Sequence, residues 1–494
     1  MEMNKNQQVI EILETLLEAI LYIKNNKNSE YEFMSEISLQ GICSVIEELE
    51  KSKKCIESIK NVARDIHNNI LNIHLNKNLN IESICDTIMY DLRKVIEYIK
   101  VRLNHKKQIV FMPYNAFMWN SLESVWKAAV EDDSCECYVV PIPYYKLISK
   151  DNNTFDSIFN YEGDLLPDYV PIIDYRVFNL EDIRPDIIYI HNQYDECNNA
   201  TRVMEQYYSY NLKKYTNMLI YIPYGISGTY PISFYLKFYS FIATRNFDKV
   251  IVQSPAFEII GEQSGIPKER LLAMGSPKFD ALINSLKEID DEDLYDNKFK
   301  DKITLLWTTN LMKIINGRHK VLDEIEEVFK LIKNNTKYGL IYRPHPLELE
   351  YVKSQAPECI DRYISILNSV KDESNIIIDK TPNYYNAFKV SDALITDRSS
   401  VLIEYMATEK PVLIYDIGLE EELYNSKVFD IFSNYIVGKE DMSLEKFMSM
   451  LENGHDDKKY KRLESLKYTL SNRDGSCGNK IHNSIKKELI STYI

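Results

Sequence analysis

No stretch of this 494-residue chain stays apolar for long enough to span a bilayer, so contact with a membrane surface is open but a crossing is not expected. Basic charge is also scarce: 59 Lys and Arg stand against 74 Asp and Glu, a net charge of -15. Nucleic-acid binding needs clustered cations to neutralise phosphates, so that class is set aside, and any anionic ligand must meet positive charge gathered locally. The eight cysteines are scattered, and the one close pair, Cys135 and Cys137, lacks the Cys-x-x-Cys spacing of zinc or redox motifs. Free thiols in a reducing cytoplasm, with no metal, are the simplest expectation. The polar start at residues 1–8, followed by Glu11, Glu14 and Glu18, fits no secretory signal.

Glycine and proline are nearly missing from residues 1–105, where apolar groups recur at helical spacing: Ile10, Leu13, Leu17, Ile20, then Ile42, Val45, Ile46, Leu49. The pattern predicts an all-α N-terminal bundle. A packed accessory domain is the plain reading; homo-oligomer or peripheral membrane contact through this segment is the functional one. From Gln108 the texture changes to short apolar runs at 109–113, 138–143, 187–192, 218–225 and 250–254 that end in polar or turn residues. Amphipathic stretches separate them, the clearest carrying Trp119, Leu122, Val125, Trp126 and Ala129 on one helical face. Such alternation belongs to buried parallel strands of a doubly wound α/β sheet. A charged segment at 288–302 interrupts the rhythm, which resumes at 303–307, 340–342, 376–378, 393–395 and 412–415. Two Rossmann-like domains, 106–287 and 288–494, are expected, with the last helix packing back on the first of them.

Ligands of open parallel sheets bind beyond the carboxyl ends of the strands, so the residues that follow each apolar run are where chemistry is sought. After 393–395 comes Thr396-Asp397-Arg398-Ser399-Ser400, a polar turn opening a helix, whose unsatisfied N–H groups, two hydroxyls and arginine suit a diphosphate. Asp397 caps or orients that turn; an ordinary N-cap has the same sequence. Glu404, one helical turn beyond Ser400, is placed either to reach a ribose hydroxyl or to face solvent. Arg343-Pro344-His345-Pro346 follows 340–342, its prolines keeping the loop out of helix and its guanidinium offering a planar fork to phosphate. Trp307-Thr308-Thr309-Asn310 closes another strand, with Lys313, Arg318 and His319 nearby as a source of positive charge or as surface decoration. At the join of the halves, Gly275-Ser276-Pro277-Lys278-Phe279-Asp280 forms a turn that puts Lys278 beside the cleft.

In that order these blocks resemble the CDP-glycerol glycerophosphotransferase family of teichoic-acid synthesis, over roughly residues 218–416. Gly275 to Asp280 stands for a Gly-x-Pro-Arg-x-Asp block and Trp307-Thr308-Thr309 for Ala-Pro-Thr-Trp, followed by Arg343-Pro344-His345-Pro346 and Thr396 to Val401. The resemblance implies a GT-B architecture: an acceptor domain at 106–287, a nucleotide-donor domain at 288–494 and no obligate metal or cofactor beyond the substrate. It also implies a CDP-linked polyol donor, such as CDP-glycerol, bound by Arg343, His345, Asp397, Arg398, Ser399, Ser400, Glu404, Lys278, Thr308 and Thr309. The polyol phosphate would pass to a glycan or lipid-linked acceptor, in the cytoplasm or at the inner face of the membrane.

Two departures bear on the mechanism. Where the family places Trp-His-Gly, this chain has Pro223-Tyr224-Gly225, so the presumed catalytic base is missing there; and Arg398 replaces the usual Tyr before the two serines. His191, which ends the run at 187–190, is a candidate replacement base beside Tyr224 and His345, since imidazole titrates near neutrality. A loop histidine bonded to Asp195 or backbone is the structural alternative. Asp290-Asp291-Glu292-Asp293 lies in the charged segment, not at a strand tip, and is not assigned a metal. Beside the phosphotransferase reading stand a nucleotide-sugar glycosyltransferase of the same fold and a catalytically silent binding subunit.

Overall fold

The glycine-poor start forms four helices: α1 (Lys5–Asn25), α2 (Glu30–Lys51), α3 (Glu57–Leu75) and α4 (Ile81–Arg102). Each buries a stripe at spacings of three and four, as α3 does with Ile59, Ala63, Ile66, Ile70 and Ile73. Contacts run α1 to α2, α2 to α3, α3 to α4 and α4 to α1, a closed ring around a core of its own that includes Leu13, Ile20, Val45, Ile66 and Leu92. This is the bundle that the periodicity predicts. In this computed structural model the described residues are 1–494 apart from 1–4, 27–29, 52–54, 56, 76–79, 103–105, 150–154, 199, 288–294, 296–297, 311–312, 382–383, 416–428 and 493–494. Most of the expected linker at 288–302, with Asp290 to Asp293, therefore lies outside them. No helix among the described residues is long and apolar enough to cross a membrane.

The rest is α/β. The first sheet holds β1 (Lys107–Phe111), β2 (Cys135–Val139), β5 (Ile187–Ile190), β7 (Met218–Tyr221), β8 (Lys249–Val252) and β9 (Leu271–Ala273), all parallel, in the order β2-β1-β5-β7-β8-β9. A small antiparallel sheet, β4-β3-β6, is built from β3 (Tyr144–Ser149), β4 (Phe155–Asn160) and β6 (Thr201–Val203). The second large sheet holds β10 (Ile303–Thr308), β11 (Tyr338–Arg343), β12 (Ile376–Ile378), β13 (Ala393–Thr396), β14 (Val412–Ile414) and β15 (Tyr435–Ile436), ordered β12-β11-β10-β13-β14-β15 and again parallel. Its strands alternate between two cores: Leu305, Trp307, Leu340 and Tyr342 pack on one face, Leu306, Ile341, Leu394 and Ile414 on the other. Apolar groups on both faces are what made these runs look uninterrupted in the sequence.

The last helix, Cys477–Thr492, belongs to the first half. Cys477, Ile481, Ile485 and Leu489 pack with Ile109, Phe111, Val125 and Trp126. The Gly275 to Asp280 block secures its return. Gly275 has φ +97°, and a Cβ there would stand 2.4 Å from the Ser471 carbonyl oxygen, so only glycine lets the returning chain pass this close. Asp280, fully buried, accepts the Cys477 N–H at 3.1 Å and the Gly478 N–H at 2.7 Å, capping the helix start. Asp280→Ala should therefore lower the unfolding free energy by about 2 kcal/mol, the upper range of cap loss, because two buried N–H groups lose their acceptor. A urea titration with an unchanged midpoint would count against this role.

Candidate functional site

In the second sheet the strand order reverses between β10 and β13, and the loops leaving these two strands bound the crevice where such sheets take ligands. The turn after β13 is held from beneath. Thr308 and Thr396 share a hydroxyl–hydroxyl bond of 2.7 Å across the strand ends. The buried Asp397 carboxylate accepts the Asn310 N–H at 2.9 Å and the Lys313 ammonium at 2.9 Å, while the Asn310 amide donates to the Arg398 carbonyl at 3.0 Å. Lys313 also pairs with Glu324 at 2.6 Å. Burial pulls the Lys313 pKa down, but Asp397 and Glu324 more than offset that, and the net direction is up. It stays a cation under the turn. Asp397 thus orients the turn through the β10 loop.

Above this platform Ser399 is the extended N-cap residue of the helix Ser400–Tyr405 and makes no side-chain bond to it. Ser399 and Ser400 are half-exposed, and their hydroxyls have no partner among the described residues. Arg398 beside them is half-exposed as well. Hydroxyls, a guanidinium and a helix start are groups of the kind that bind phosphate oxygens.

The loops after β11 and β12 are knitted together. The Arg343 guanidinium donates to Asp379 at 2.6 Å, to the Thr381 hydroxyl at 3.2 Å and to the Thr381 carbonyl, and lies 5.7 Å over the Tyr384 ring. Its fork is spent largely on the β12 loop. His345 is exposed, and its Nδ1 accepts the Leu347 N–H at 3.2 Å, which puts the proton of the neutral ring on Nε2. Below it Glu348 is fully buried, a residue that the sequence reading passed over. Its carboxylate accepts the Thr309 hydroxyl at 2.6 Å and the Tyr363 hydroxyl at 2.5 Å. Thr308 and Thr309 therefore bond within the protein. They do not line an open surface.

Lys278 and Glu404 join the two halves. The ammonium donates to Glu404 Oε1 at 2.8 Å, and the Tyr384 hydroxyl donates to the other oxygen. The Glu404 side chain is 1% exposed, so it is neither the solvated helix residue nor an open ribose ligand. Burial lowers the Lys278 pKa, yet Glu404 and Tyr385 outweigh it and the net direction is up. Nothing near either residue in the sequence signals this pair; the helix Pro277–Lys287 brings it about by crossing to the second half.

In the first half the order reverses between β1 and β5, and His191 spans that point. Its Nε2 accepts the Tyr114 N–H at 3.2 Å and its Nδ1 lies 3.2 Å from the Ser121 hydroxyl. Fully buried, its pKa is pushed down to about 3 by that burial. A base needs an open lone pair, and the one on Nε2 is taken by a backbone amide. His191 holds the β1 loop in place of acting where the sequence put it, and Asp195 bonds Ser209, at 2.9 and 2.5 Å, instead of His191. Tyr224 is half-exposed at the end of β7, its ring 6.4 Å from the imidazole, and next to it a Cβ on Gly225 would meet nothing within 4 Å. Away from the cleft, Asp132, Cys135 and His482 come within ligand distance of one another, but Asp132 already pairs with Lys486 at 2.5 Å and His482 at 2.9 Å.

Comparison with known proteins bears on the family and the fold. The chain is 24% identical over 295 residues to a teichoic acid ribitol-phosphate primase of Bacillus spizizenii, across 56% of this chain and 67% of that one. It is 22% identical over 254 residues to a teichoic acid poly(ribitol-phosphate) polymerase of the same organism, across 49% of this chain and 38% of that one. A Listeria monocytogenes crystal structure described as a UDP-N-acetylglucosamine 2-epimerase is 15% identical with a TM-score of 0.50, covering 78% of this chain and 97% of that one, a likeness of fold alone. The fold is the expected one, two Rossmann-like domains of GT-B type behind a helical bundle. Residues 240–487, half of the chain, match the family described as CDP-Glycerol:Poly(glycerophosphate) glycerophosphotransferase, and to that family of transferases this chain belongs.

Proposed function

We propose that the chain moves a polyol phosphate, glycerol phosphate or ribitol phosphate, from a CDP-linked donor to a hydroxyl of a cell-wall or surface glycan or a lipid-linked acceptor. One observation carries the donor assignment: among the described residues the Ser399 and Ser400 hydroxyls have no partner, at the β10–β13 crevice beside Arg398 and the first N–H groups of a helix. A bond forms between the acceptor oxygen and the β-phosphorus, the bond from that phosphorus to CMP breaks, and the hydroxyl proton leaves to solvent. Neutral His345 donates from Nε2 to a donor phosphate oxygen. Tyr224 positions the acceptor hydroxyl by a hydrogen bond through its phenol oxygen. Such an acceptor places the work at the cytoplasmic face of a membrane, with residues 1–105 available for membrane or self-contact.

Calorimetric titration with CDP, UDP and GDP, and with CDP-glycerol and CDP-ribitol, tests the assignment. At a hundred times its dissociation constant a ligand adds about 2.7 kcal/mol to stability, so melting shifts report the same ranking. Equal binding of UDP compounds would favour a sugar nucleotide, and no binding of any would favour a silent subunit. His345→Ala should weaken CDP binding about tenfold, the scale of one charge-assisted bond, with little change in melting because the ring is exposed.

A further inference from the structure

The buried carboxylate of Glu348 sits where two site loops meet. One oxygen accepts the Thr309 hydroxyl, at 2.6 Å, from the loop after β10. The other accepts Tyr363, at 2.5 Å, and Tyr342, at 3.4 Å. Its own N–H donates to the His345 carbonyl at 2.8 Å, so the same residue also closes the loop after β11. Among the described residues no cation pairs with it; its acceptor sites are filled by hydroxyls. A fully buried carboxylate is costly unless its bonds are made, and each of these fixes the geometry of its partner.

We infer that Glu348 is a positioning residue for the donor: by tying Thr309 to the segment that carries His345, it sets the spacing between the turn beside Asn310 and the imidazole. Asn310 in turn holds Asp397 and the Arg398 carbonyl, so the chain of bonds runs from Glu348 to the serine cradle. This rests on the donor reading. A core acid of purely structural use would affect stability through any of its bonds alike. A positioning acid affects the ligand only through the bond that reaches a loop.

Three variants separate the two. Thr309→Val removes the bond to the β10 loop and should weaken CDP binding, measured calorimetrically, by about tenfold, the upper range for one hydrogen bond. Thr309→Ser keeps the hydroxyl and should restore it. Tyr363→Phe removes a bond to the same carboxylate from the helix Ile360–Asn368, which carries neither loop, and should leave CDP affinity within about twofold while lowering the melting temperature as Thr309→Val does. Equal losses of CDP affinity in Thr309→Val and Tyr363→Phe, or none in Thr309→Val, would overturn the inference. Failure of the unaltered chain to bind CDP would instead remove the donor reading beneath it.

Discussion

The double variant Ser399→Ala/Ser400→Ala should bind CDP about a hundredfold more weakly than the unaltered chain, and it should melt at the same temperature. Each hydroxyl that meets a phosphate oxygen contributes a charge-assisted bond, about 1.5 to 3 kcal/mol, and the pair together exceeds the tenfold loss expected at His345. The melting temperature holds because neither hydroxyl bonds any described residue: Ser399 starts its helix without a side-chain cap, and the turn is fixed by Asp397, Asn310 and Thr308 below it. The two readouts together are the test. A variant that binds CDP normally removes the cradle from the donor site. One that melts far lower makes the serines caps after all.

Lys278→Met is expected to cost about 3 to 5 kcal/mol of stability, because it leaves the Glu404 carboxylate buried without its cation. The double variant Lys278→Met/Glu404→Leu should recover most of the loss, since replacing both members of a buried pair by apolar groups is nearly neutral. The pH dependence follows from the sign of the shift. The Lys278 pKa is raised in the folded protein above its usual 10.5, so its contribution is fully present below pH 10.5 and is lost as pH rises through the folded value. The stability gap between the unaltered chain and Lys278→Met should stay constant from neutral pH to that limit and narrow above it. Urea titrations at several pH values measure this. A gap of under 1 kcal/mol at pH 7 would mean that water reaches the pair.

What the sequence revealed, and what it hid, divides by distance along the chain. The strand tips were visible because parallel strands buried on both faces write continuous apolar runs, and the polar residues that follow are local to them. Ser399, Ser400 and His345 could therefore be placed beyond strand tips from short motifs. Thr308 and Thr309 were found as strand-tip residues, but their partners Thr396 and Glu348 are 88 and 39 residues away, and no spacing rule joins them. Lys278 and Glu404 are 126 residues apart and meet only because the halves pack. His191 was placed at the right strand end, yet its role turned on an amide 77 residues earlier that fills its lone pair. A motif gives the position of a side chain; burial and partners decide whether it faces a ligand.

The return of the last helix to the first half makes the chain cross between the halves twice, once near 288–302 and once near 471–476. A fragment ending at residue 287 would lack the four apolar groups that cover Ile109 and Phe111, so it is not a self-sufficient folding unit, whereas deletion of 1–105 removes a bundle with its own core.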